Sequence, residues 1–156
     1  MKAIHRIIAA LGLAFVLPAA ADAATTDPEV VIYRFPGVRD NGAPDFSGIA
    51  TVFHCTNFSG VQESIRFVTR NVNAGLVSNF AFLVGHLQSI PVSTHLTSAY
   101  SANSLTTGTV LAGTTAIAAT STNVVCTAMT IDAANSNPDG VALHAIRFNP
   151  APGSQE

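Results

Sequence analysis

Tryptophan is absent from this chain, tyrosine and cysteine each occur twice, and lysine occurs once, at position 2. Charged residues make up 10% of the sequence, against about 25% in an average globular chain. Each scarcity excludes something. A nucleic-acid partner needs a clustered basic surface to neutralise phosphates, and Arg66 and Arg70 are the nearest approach to a cluster, so no nucleic acid is expected. Few aromatics weaken the case for a carbohydrate-binding face. Neither a Gly-x-Ser-x-Gly elbow nor a phosphate-binding glycine loop occurs, which leaves serine-hydrolase and nucleotide chemistry without a motif. The carboxylates Asp40, Asp45, Asp132 and Asp139 sit among turn residues, where solvation and capping explain them. No enzyme is expected.

Metal chemistry fares no better. His54, His86, His95 and His144 are scattered, with no pair at i, i+2 or i, i+4 to grip zinc. Cys126 to Met129, "CTAM", resembles part of a copper loop, but that site needs a histidine just after the cysteine, and the next one is His144. No cofactor is expected.

What is present begins with a leader. Lys2 and Arg6 precede an apolar run from Ile7 to Leu17, and Ala21-Asp22-Ala23 supplies the Ala-x-Ala spacing of a signal-peptidase site. The run is about 11 residues, where a membrane span needs roughly 20, so cleavage after Ala23 is expected rather than anchoring. The expected organisation is a signal peptide over 1–23, one domain over 24–149 and a flexible tail over 150–156. The mature chain carries five arginines against eight carboxylates, a net charge of −3, and no transmembrane segment is expected in it. The expected location is the periplasm or the exterior of the cell.

Helical periodicity is nearly missing after the leader. Short segments rich in Val, Ile, Phe and Thr alternate with Gly, Pro, Asn and Asp, predicting strands near 29–35, 48–56, 63–71, 77–84, 90–96, 109–119, 124–132 and 140–148. The stretch "PGVRDNGAPD" reads as a loop, "NVNAG" and "NSNPDG" as turns, and 98–108 as weakly patterned. Seven to eight such strands predict an all-β fold, an antiparallel β-sandwich of immunoglobulin-like architecture.

Two cysteines in an exported chain pair with each other, so Cys55 and Cys126 are expected to form a disulfide. Immunoglobulin-like sandwiches place such a bridge between facing sheets, although no tryptophan is here to pack on it. His54 adjoins Cys55, yet strand neighbours point to opposite faces, which argues against a joint metal or nucleophile site.

The stretches "HCTNFSG", "TSTNVVCTAMTIDA" and "GVALHAIRFNPAPGSQE" together resemble a group of small exported bacterial proteins of uncharacterised function. That resemblance implies a bacterial source and an exported β-sandwich, and it brings no activity, ligand or catalytic residue.

One pattern goes beyond the fold. If Cys126 points inward, Val125, Met129 and Ile131 share the opposite face of the strand and make it the more apolar one. In the last strand Ile146 and Phe148 behave alike. Either a loop or the segment 98–108 covers that face, or a bulge shifts the register, or the face is an interface with another copy or another exported protein. The expected function is a secreted, non-enzymatic structural or interaction module, disulfide-stapled and able to self-associate. The alternatives are a small-ligand or carbohydrate-binding module and an exported enzyme with an unrecognised site.

Overall fold

A computed structural model describes residues 25–148. The expected leader, 1–23, and tail, 150–156, lie outside the described residues. Alternation of buried and exposed side chains produces ten strands: β1 (Val30–Asp40), β2 (Ile49–Asn57), β3 (Glu63–Arg70), β4 (Leu76–Val84), β5 (Ser89–Ser93), β6 (Asn103–Ser104), β7 (Val110–Ala119), β8 (Val124–Asp132), β9 (Gly140–Ala142) and β10 (Ile146–Arg147). There is no helix among the described residues, hence none long and apolar enough to cross a membrane.

The strands form two five-stranded sheets, ordered β10-β1-β7-β3-β4 and β6-β5-β2-β8-β9, antiparallel except for the short β5–β6 pair. Both turn their apolar faces inward. Tyr33 and Phe35 of β1, Phe53 of β2, and Phe67 and Phe82 of β3 and β4 form a continuous aromatic run across the core, with successive ring centroids 5.6–6.0 Å apart. That spacing suits tilted and edge-on aromatic packing. The fold is a β-sandwich.

The sequence predicts seven to eight strands and the described residues form ten. Strands β2, β3, β4, β7 and β8 match their expected segments closely, β5 ends early at Ser93, and three further local differences have physical reasons. β1 runs on through Pro36 and Gly37 to Asp40, into what reads as a loop. Its register against β7 shifts around Pro36 and Val38, and on its other side β10 pairs with Tyr33 and Arg34 alone, so the missing amide of Pro36 removes no ladder bond there. The expected last strand, 140–148, divides: β9 pairs with β8 in one sheet, while β10 crosses over to β1 in the other. The patternless stretch 98–108 contributes only the two residues of β6.

The disulfide between Cys55 and Cys126 is present, with its position changed from expectation. It does not join facing sheets. Cys55 and Cys126 are directly opposed residues of neighbouring strands β2 and β8, 4.2 Å apart at Cα, on the core side of one sheet. The bridge therefore ties two strands already held by a nine-pair ladder from Ile49↔Asp132 to Asn57↔Val124.

Candidate functional site

With Cys126 inward, Val124 and Ala128 are buried beside it and Val125, Met129 and Ile131 share the outer face of the sheet, as the alternation requires. That face is not uniformly open. Ala50, Val52 and Ile131 are fully or almost fully buried there, beneath the segment after β5. Tyr100 lies edge-on against His54, ring centroids 4.6 Å apart, and its hydroxyl reaches the Met129 sulfur at 3.8 Å. Ser98 N–H bonds to the Ala133 carbonyl, pinning the segment at the far end. Burial under this cover pushes the His54 imidazole below its ordinary pKa. Val125, beyond the reach of the cover, remains exposed.

Ile146 and Phe148 do not join this surface. Ile146 pairs with Arg34 of β1, on the outside of the other sheet, and the Arg34 guanidinium sits 5.8 Å from the Phe148 ring centroid. The five residues that the sequence grouped thus lie on two opposite outer faces.

A different surface stands out, one that the sequence reading missed. Three of the four sheet edges end in strands of two or three residues, β10, β6 and β9. Such shortness is one of the devices by which proteins blunt edges. The fourth edge is β4, nine residues long, "LVSNFAFLV", without a charge or a proline. Phe80 pairs with Phe67 and so faces inward, yet Phe80 is 44% exposed where Phe67 is wholly buried. Leu76 and Leu83 on the same strand are also exposed. The core is unfinished along β4, which has no strand on its outer side among the described residues, so an added strand could cover the Phe80 ring and extend the ladder. The alternation of β4 in sequence resembles that of any half-buried strand; only the sheet order reveals an edge.

The polar interior was also hard to foresee. Asp40, which reads as a solvated turn carboxylate, is 1% exposed. Its oxygens accept from Gly42 N–H at 2.8 Å and Thr107 Oγ1 at 3.2 Å, and one lies 2.8 Å from His95 Nδ1. His95 Nε2 lies 3.0 Å from the Ser47 carbonyl oxygen, so its second nitrogen meets a backbone acceptor and no nucleophile. The cluster ties the end of β1, the loop before β2 and the segments flanking β6 into one knot. At the opposite end Glu63 is fully buried, accepts from Thr120 Oγ1, and leaves Oε1 without a partner among the described residues. No group of three or more His, Cys, Asp or Glu side chains is placed to hold a metal among the described residues.

No family model, curated protein or solved structure matches the chain.

Proposed function

We propose that this protein is a secreted, non-enzymatic structural module of bacterial origin that works by assembling through the β4 edge with a second copy of itself. Its architecture is immunoglobulin-like in layering, with the bridge moved from between the sheets into one of them. The observation that carries the reading is the uncharged, nine-residue edge with its half-exposed core ring. Antiparallel pairing of β4 with β4 across a two-fold axis joins two five-stranded sheets into one of ten, an isologous contact that needs no charge complementarity because the strand has no charge. The low overall charge of the chain leaves little repulsion to oppose it. The Cys55–Cys126 bridge and a cleaved leader over 1–23 accord with an oxidising compartment outside the cytoplasm.

The test is molar mass by light scattering across a concentration series, for residues 24–156 and for its Ala81→Glu variant. Ala81 is exposed on β4 and directly opposite Arg66, so a glutamate there gains a favourable cross-strand neighbour within the monomer. Across a β4–β4 contact the same change brings two carboxylates together near the axis. The wild type is expected to move from monomer towards dimer as concentration rises, with the variant remaining monomeric and equally folded. A wild type that stays monomeric to millimolar concentration, or a variant that assembles equally well, refutes the reading.

A further inference from the structure

Outside the second sheet, between the β1–β2 loop and residues 96–102, lies an open hollow of about 530 Å³. It falls within the usual size of small-molecule sites, roughly 300–1,000 Å³. Phe46 forms one wall, with the residue 53% exposed and its backbone in the left-handed region at φ 62°. That conformation is disfavoured for a bulky residue and open to glycine or asparagine. The backbone is nevertheless fastened. Phe46 N–H donates to the Leu96 carbonyl at 2.8 Å, Leu96 N–H donates to Asp45 Oδ1 at 3.1 Å, and the Asp40–His95–Ser47 knot lies directly behind. Among the described residues Leu87 is the other large exposed one with positive φ, but it sits in the β4–β5 turn, away from this hollow. An exposed ring adds little to the core, so strain retained to hold it beside a cavity points to a use for the ring itself.

The remaining lining defines the chemistry. Leu96 and Tyr100 supply apolar surface, Ser98 and Ser101 supply hydroxyls, and Thr97 Oγ1 is buried without a hydrogen-bond partner among the described residues. Among the described residues, no charged side chain lines the hollow. An ionic ligand would lose its hydration with no counter-charge to replace it. A wholly apolar ligand would strip water from the serine hydroxyls and leave them unpaired. A ligand with one C–H face and a rim of hydroxyls meets both demands. The Tyr100 ring is already positioned by His54 and Met129, so little ordering remains to be done on binding.

We infer that this hollow binds a neutral sugar ring, its C–H face against Phe46 and its hydroxyls towards Ser98 and Ser101. The site lies on the opposite sheet from β4 and is independent of assembly. The test titrates ¹⁵N-labelled protein, residues 24–156, with maltose, cellobiose, lactose and N,N′-diacetylchitobiose while amide shifts are followed by NMR. At least one sugar is expected to shift amides of residues 45–47 and 96–102 with saturation in the millimolar range. Phe46→Gly removes the ring while relieving the backbone, so it is expected to fold normally and weaken binding about tenfold or more. Phe46→Tyr is expected to retain binding. Ala81→Glu is expected to leave the titration unchanged, which separates this site from the assembly surface. Four sugars without effect, shifts spread outside the hollow, or undiminished binding by a folded Phe46→Gly variant would each overturn the inference. So would shifts in the same amides that follow protein concentration with no sugar present, since a second copy would then be the occupant.

Discussion

Removing the Cys55–Cys126 bridge should destabilise the protein by about 4 kcal/mol while leaving the fold in place. The figure comes from the sequence separation of 71 residues, which sets the loop that the bridge closes in the denatured chain. Loop-closure entropy grows only with the logarithm of that length, so the result is insensitive to modest residual structure. The fold should survive because β2 and β8 keep their nine-pair ladder and their places at the centre of a sheet without the sulfurs. For a domain of this size, about 4 kcal/mol corresponds to a melting temperature lower by roughly 15 °C. The assay is urea unfolding by far-ultraviolet circular dichroism, comparing oxidised protein with the Cys55→Ala/Cys126→Ala variant. The oxidised protein should also show the smaller m-value, since its cross-linked denatured state exposes less surface. A stability difference under about 1 kcal/mol would sink the reasoning, because β2 and β8 would then be held together in the reduced denatured chain as well. Two reactive thiols in denatured, unreduced protein would sink it more directly, by showing that no bridge forms.

Other expectations rest on single sites. The His54 pKa is lowered in the folded state, so the unfolded chain binds the proton more readily. The stability that this contributes is fully present above the ordinary histidine value of about 6.5 and is lost as pH falls through it towards the lower folded value. Urea midpoints at neutral and mildly acidic pH should therefore separate more in wild type than in His54→Gln, and equal separations would reject burial by Tyr100 as the cause. Gly113→Ala should cost about 2 kcal/mol or more, because a Cβ there lies 2.7 Å from the Arg70 carbonyl oxygen and also clashes with Val110 Cγ1. An unchanged midpoint would mean that β7 and β3 pack less closely than described. Asp40→Ala should cost about 3 kcal/mol or more by leaving His95, Thr107 Oγ1 and Gly42 N–H without their shared acceptor. A loss under about 1 kcal/mol in the same urea assay would place Asp40 in water.

Much of the architecture is legible in the chain because its cause is local. A strand with one buried face must alternate, and Gly, Asn, Asp and Pro mark where chains can turn, so the long strands can be found residue by residue. Cysteine count and an expected leader suffice to expect a disulfide. The inward face of β8 follows from period two once Cys126 is taken as buried. Composition left a cover, a register-shifting bulge and an interface open for this face, and Tyr100 lies over His54 and Met129 on part of it.

Everything that depends on which strands become neighbours needed the tertiary structure. Local alternation is the same for a central strand and an edge strand, so β4 carries no mark of its exposed flank until the sheet order places β3 on one side of it and nothing among the described residues on the other. The same ambiguity put the disulfide between sheets by analogy, when β2 and β8 are in fact side by side. It also grouped Ile146 and Phe148 with Val125, although the chain changes sheets between Ala142 and Ile146. Asp40 and His95 lie 55 residues apart, and no pattern of short range connects them. The sequence by itself determined that the chain forms strands, where they turn and which side of each is apolar, because those are properties of consecutive residues. Which edge stays open, which carboxylate is buried and where a ring is held out beside a hollow were decided by contacts between residues far apart in the chain, whose loop-closure cost only the packed core repays.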